Sequence, residues 1–150
     1  MSRSVVLFAC CMVALSEYAH AGCNTTFHSV RGADGISLAL VPTDKDTERG
    51  ASWLPGGSEP PLSVGRAISV ALNYANGHWT QVAAYRVGSV TLHAVPSCAK
   101  KWGDKPRWDK WMYVVDLLPA TEAGPPSTPH FVGVFMDETV LPPVRVAGDF

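Results

Sequence analysis

The chain has 150 residues, a formal net charge of −1 at pH 7, and 47% hydrophobic residues. A near-neutral chain of this length holds one domain with a real core and has no global field for gathering nucleic acid or acidic lipid. No apolar run reaches the roughly 20 residues that a membrane-spanning helix needs.

Residues 1–21 read as a secretory signal peptide. Arg3 supplies the positive start, residues 5–15 (VVLFACCMVAL) are an unbroken apolar run, and Ala19-His20-Ala21 is the small-x-small pattern of a cleavage site. Cys10 and Cys11 leave with this leader, so Cys23 and Cys98 remain. In an oxidising compartment two such cysteines pair, and the long loop closed by Cys23–Cys98 is worth about 4 kcal/mol in the chain-entropy model. Two other roles stay open at this point. Ala21-Gly22-Cys23 ends like a bacterial lipobox, which makes Cys23 a candidate lipid anchor, and a free Cys98 is a candidate nucleophile.

Residues 22–61 form an N-terminal arm. Residues 27–31 and 36–41 have strand character, with Ala33-Asp34-Gly35 as the turn between them. Residues 43–49 are polar and charged. Residues 51–61 carry Pro55, Gly56, Gly57, Pro60 and Pro61, which predicts a loop that also presents Trp53 and Leu54.

Residues 62–150 form the core domain, and its spacing predicts a helix over 63–75. Ser63 is the N-cap, Val64, Ala67, Ile68, Ala71, Leu72 and Ala75 form one apolar stripe, and Asn76-Gly77 is the stop. The period then changes to two. Residues 85–95 alternate, with Val90, Leu92 and Ala94 on one face and Ser89, Thr91 and His93 on the other. Tyr85 and Val87 have the opposite parity, so a bulge is expected at Gly88. Residues 111–118 (WMYVVDLL) are apolar on both faces, as in a central strand. Residues 130–136 form a third strand, Asp137-Glu138 a turn, and 139–146 a return strand that Pro142 and Pro143 place at a sheet edge. The fold class is therefore α+β, one helix on a three- to four-stranded antiparallel sheet.

Together, the helix at 62–75, the strands at 89–95 and 111–118, and the hairpin at 131–140 around Met136-Asp137-Glu138 resemble the small exported bacterial proteins of PepSY-like or cystatin-like fold. That family usually has Asp-Gly at the hairpin turn, and Glu138 departs from it. The Gln-x-Val-x-Gly loop of papain inhibitors is absent. The resemblance implies a non-catalytic module, often a peptidase inhibitor or binding domain, with no catalytic residues to carry over.

No catalytic motif stands out. The mature histidines lack metal-ligand spacing, and only His93 and His130, on strands expected to be adjacent, suggest a pairing. A Cys98–His130–Asp137 grouping is the one conceivable thiol hydrolase. The most distinctive surface candidate is residues 100–111 (KKWGDKPRWDKW), where Trp102, Lys105, Arg107 and Trp108 have the composition of a binding hot spot. The expectation is a non-catalytic exported protein, periplasmic or secreted, that binds another envelope or secreted protein, with inhibition of an envelope hydrolase as one such role. No cofactor, metal, nucleic acid or transmembrane segment after signal cleavage is expected. The alternatives are a small secreted hydrolase using Cys98 or a histidine-bound metal, and a structural protein lipid-anchored through Cys23.

Overall fold

A computed structural model of the chain describes residues 26–97, 107–121 and 128–146. Residues 1–21, Cys23 and Cys98 lie outside that range, and with them the expected signal peptide and the expected Cys23–Cys98 disulfide. In chain order the elements are β1 (His28–Arg31), β2 (Ser37–Leu40), α1 (Asp44–Arg49), α2 (Val64–His78), β3 (Tyr85–Ser97), β4 (Arg107–Pro119), β5 (His130–Phe135), β6 (Val140–Leu141) and β7 (Val144–Arg145). The fold is α+β. Strands β3-β4-β5-β6 form a four-stranded antiparallel sheet and β1-β2-β7 a three-stranded one.

The four-stranded sheet is covered on both faces, which explains the composition of β4. On one face Tyr113, Val115 and Leu117 of β4 and Val132 and Val134 of β5 pack against Ala67, Ala71 and Ala75 of α2. On the other, Met112, Val114, Phe131 and Phe135 pack with Leu40 of β2, and Phe27, Val30 and Leu38 lie against them. A strand with core on both sides cannot alternate apolar with polar residues, so it reads as a continuous apolar run.

Helix α2 starts where the sequence predicts. Ser63 Oγ accepts the Arg66 N–H at 3.3 Å, and Tyr113 Oη–H donates to the buried carbonyl of Leu62 at 3.0 Å, tying the helix entrance to the central strand. Its end differs from the expected stop. Asn76 and Gly77 are helical, and the helix continues to His78. The His78 ring stacks on Tyr74 one turn earlier, 4.0 Å between centroids, and the Trp79 N–H donates to Ala75 O at 2.8 Å. Aromatic packing at i and i+4 here outweighs the local tendency of Asn-Gly to break the helix.

Three further differences have physical causes. The charged stretch 43–49 contains α1, held by a capping box in which Thr43 and Asp46 each satisfy the other's backbone N–H. The return segment 139–146 is split: β6 pairs with β5, Pro142 and Pro143 interrupt the ladder, and β7 crosses to pair with β2. His93 and His130 are not on adjacent strands. Strand β4 lies between them, and they face opposite sides of the sheet, His93 beside Phe27 and His130 beside Trp79.

The bulge expected at Gly88 is present as a register shift between Val87 and Ser89. It leaves Val87 and Val90 both on the α2 face. The turn after β1 is also where the sequence places it, with Gly35 at φ +80° and the Asp34 carboxylate accepting the Ile36 N–H at 3.0 Å. At the β5–β6 turn Glu138 takes φ 69°, a conformation that favours glycine. Its carboxylate accepts two hydrogen bonds from Arg66 of α2, at 2.8 and 2.7 Å, which holds the hairpin tip to the first turn of the helix. The hydrogen bond from Arg66 and its charge hold the Glu138 carboxyl below the usual carboxylate range. Among the described residues no helix is long and apolar enough to cross a membrane.

Candidate functional site

The predicted binding segment 100–111 falls partly within the described residues. Trp102 and Lys105 lie outside them. Arg107 and Trp108 are described, and they belong to β4 rather than to a loop. Strand β5 accompanies β4 only from Met112 to Leu117, so Arg107 and the next residues extend past the sheet, paired with β3 on one side. Where β5 leaves off, residues 51–53 take its place. Ser52 bridges Lys110, and the Trp53 N–H donates to Asp109 O at 2.8 Å.

This junction is tightly held. Lys110 is nearly buried, and its ammonium donates to Gly50 O, just past the end of α1, and to Ser52 Oγ at 3.0 Å. A cation is favoured there because the last carbonyls of a helix have no partner within it. Ser52 Oγ–H donates to Asp109 Oδ2 at 3.0 Å. Trp53 meets the edge of Trp111, with 5.4 Å between centroids, and its indole N–H donates to Ser58 O at 3.0 Å, closing the proline-glycine loop.

On this rigid base two large apolar side chains face water. Trp108 is 56% exposed and Leu54 is 66% exposed. Asp109 Oδ1 and Trp111 Nε1 are buried here without a hydrogen-bond partner among the described residues. Segment 100–111 and the Trp53-Leu54 loop are far apart in the sequence, and the fold brings their described parts to one end of the molecule. Nothing local in the sequence signals that meeting, because the pairing of Ser52 with Lys110 is long-range.

A second polar cluster lies on the face covered by β1. Ser89 Oγ–H donates to Asp116 Oδ2, His28 Nε2 stands 3.8 Å from Asp116 Oδ1, and His93 Nε2 lies 3.0 Å from Thr91 Oγ1. Burial first, and His28 next, push the His93 pKa below its ordinary value, while Asp116 opposes the shift. The residue types are those of a hydrolytic triad, but the connectivity differs. An activated serine is hydrogen-bonded to the imidazole, and here Ser89 is bonded to the carboxylate. The Cys98–His130–Asp137 grouping does not assemble around its described members. His130 opens β5 and Asp137 follows its end, about 20 Å away at roughly 3.3 Å per residue. Among the described residues no three histidine, cysteine, aspartate or glutamate side chains converge as metal ligands.

No family model matches this chain, and no curated protein or solved structure is similar to it.

Proposed function

We propose that this chain is an exported, non-catalytic binding domain whose partner is another envelope or secreted protein. Its contact surface is the end of the β3–β4 hairpin, with Trp108 and Leu54 as anchors and Arg107 beside them. The supporting observation is the exposure of these two side chains on a framework fixed by Lys110, Ser52 and Asp109. Tryptophan and arginine on a rigid base dominate binding energy in protein interfaces, because little side-chain freedom is lost on association. Inhibition or neutralisation of an envelope hydrolase is the role within this reading that the PepSY-like and cystatin-like resemblance favours.

The test uses residues 22–150, tagged at the C-terminus, to retain partners from envelope extracts of the host and of its competitors. Trp108→Ala and Leu54→Ser are run beside the wild type. Both positions are exposed, so each variant should keep its stability within about 1 kcal/mol. One stoichiometric partner, retained by the wild type and lost by both variants, is the expected result. A partner retained equally by all three proteins would place the contact elsewhere.

A further inference from the structure

The other end of β4 carries a groove with different chemistry. It has a volume of about 310 Å³ and lies between the C-terminal end of α2, the start of β5, and β7. His78, Trp79 and Gln81 form one wall, and His130, Pro143 and Arg145 the other. Among the described residues no aspartate or glutamate lines it, and the carboxylate beside it is that of Asp34, which accepts a hydrogen bond from the lining Thr128 at 3.2 Å. Arg145 is exposed and has no carboxylate partner among the described residues. The Nδ1 of His78 lies 2.9 Å from the Tyr74 carbonyl. A carbonyl only accepts, so Nδ1 carries the proton and Nε2 of the neutral ring is an acceptor, which leaves Arg145 as the donor to an anion.

The apolar wall is built in advance. The Trp79 indole contacts Tyr74, Tyr85 and His130 edge-on, with centroids 5.9, 5.7 and 5.2 Å apart, so its ring is fixed from three sides. Tyr85 and His130 also contact each other at 5.2 Å. The groove thus sets a fixed aromatic wall near the Arg145 guanidinium.

We propose that this groove binds a small organic carboxylate, with the anionic head at Arg145 and the apolar body on Trp79. The guanidinium suits a carboxylate because its planar fork matches two oxygens. The volume lies at the low end of the roughly 300–1,000 Å³ of small-molecule sites, which fits a ligand with a single ring. This site is independent of the hairpin surface at the opposite end of β4.

Phenylacetate and its uncharged isostere phenylacetamide are the probes. Each is titrated into residues 22–150 at low ionic strength, while the indole N–H of Trp79 is followed by proton–nitrogen NMR. Phenylacetate is expected to shift that resonance saturably, and phenylacetamide to bind at least about tenfold more weakly. Arg145→Gln should erase the difference between the probes by weakening phenylacetate alone, and Trp79→Leu should weaken both. If neither probe shifts the Trp79 resonance, or if both bind the wild type equally, the proposal fails. The two-probe comparison on the wild-type protein stands even if Trp79→Leu does not fold. Capture of a protein partner through Trp108 is unaffected by either outcome.

Discussion

Replacing Gly133 with alanine tests how closely β5 is packed against its neighbours. Gly133 sits in the middle of β5, opposite Val114 on one side and Leu141 on the other. A Cβ placed there would stand 3.1 Å from Met112 Sδ, 3.2 Å from Leu141 Cβ and 3.4 Å from Leu40 Cδ1. The methionine sulfur can move aside. The Leu141 Cβ cannot, because it is attached directly to the backbone of β6. Directly paired Cβ atoms in antiparallel strands normally stand about 4.5–5.5 Å apart, so β6 would have to tilt away or β5 to rotate. Such overpacking costs about 1–3 kcal/mol, and the loss of backbone freedom in the unfolded chain returns about 0.4–1 kcal/mol. The net expectation is a loss of about 1–2 kcal/mol. It is read as a lower urea midpoint at unchanged slope. Gly57→Ala is the control, since nothing lies within 4 Å of a Cβ at that position, and it should change stability by no more than about 0.5 kcal/mol. A Gly133→Ala protein as stable as the wild type would show that β5 and β6 are not in close contact at this point.

Two other outcomes are open to the same measurement. Tyr113→Phe removes the donor to the buried Leu62 carbonyl and should cost about 1–2 kcal/mol; a loss below about 0.5 kcal/mol would mean that this carbonyl finds another partner. Because burial lowers the His93 pKa, the unfolded chain takes up the proton first as pH falls through about 6.5. Stability should therefore be greatest above that pH, decline as it falls, and level off once the folded protein is also protonated. Urea midpoints at several pH values should show this decline in the wild type and a shallower one in His93→Gln, and parallel profiles would remove His93 as the cause.

Much of the fold is legible in the sequence because it is written in local patterns. The alanine-rich stripe of α2, the two-faced apolar run of β4 and the parity change around Gly88 each follow from the geometry of a single element. Helix α1 is hard to see because it has no apolar stripe, and its only local signal is the Thr43–Asp46 box. The third strand of the small sheet, β7, is invisible for another reason. Residues 139–146 read as one return strand, and only contacts with β2 show that the two prolines divide them between sheets. The candidate site was half legible. Composition marks Arg107 and Trp108, but it does not reveal that Ser52 and Trp53 secure the strand carrying them. The groove beside Trp79 draws on four separated segments, so no sequence window contains it.

The pairing of β2 with β7 has a consequence for how the chain reaches its final shape. Leu38 is laid down early in synthesis, while its partner Arg145 comes after every other strand. Until that partner arrives, one edge of the hairpin has no strand to pair with, and bringing such distant segments together is entropically slow. The helix and the long hairpin depend on near neighbours and can form first. Closure of the small sheet is then the last step, and a chain stalled or clipped before Arg145 would be left with an open strand edge.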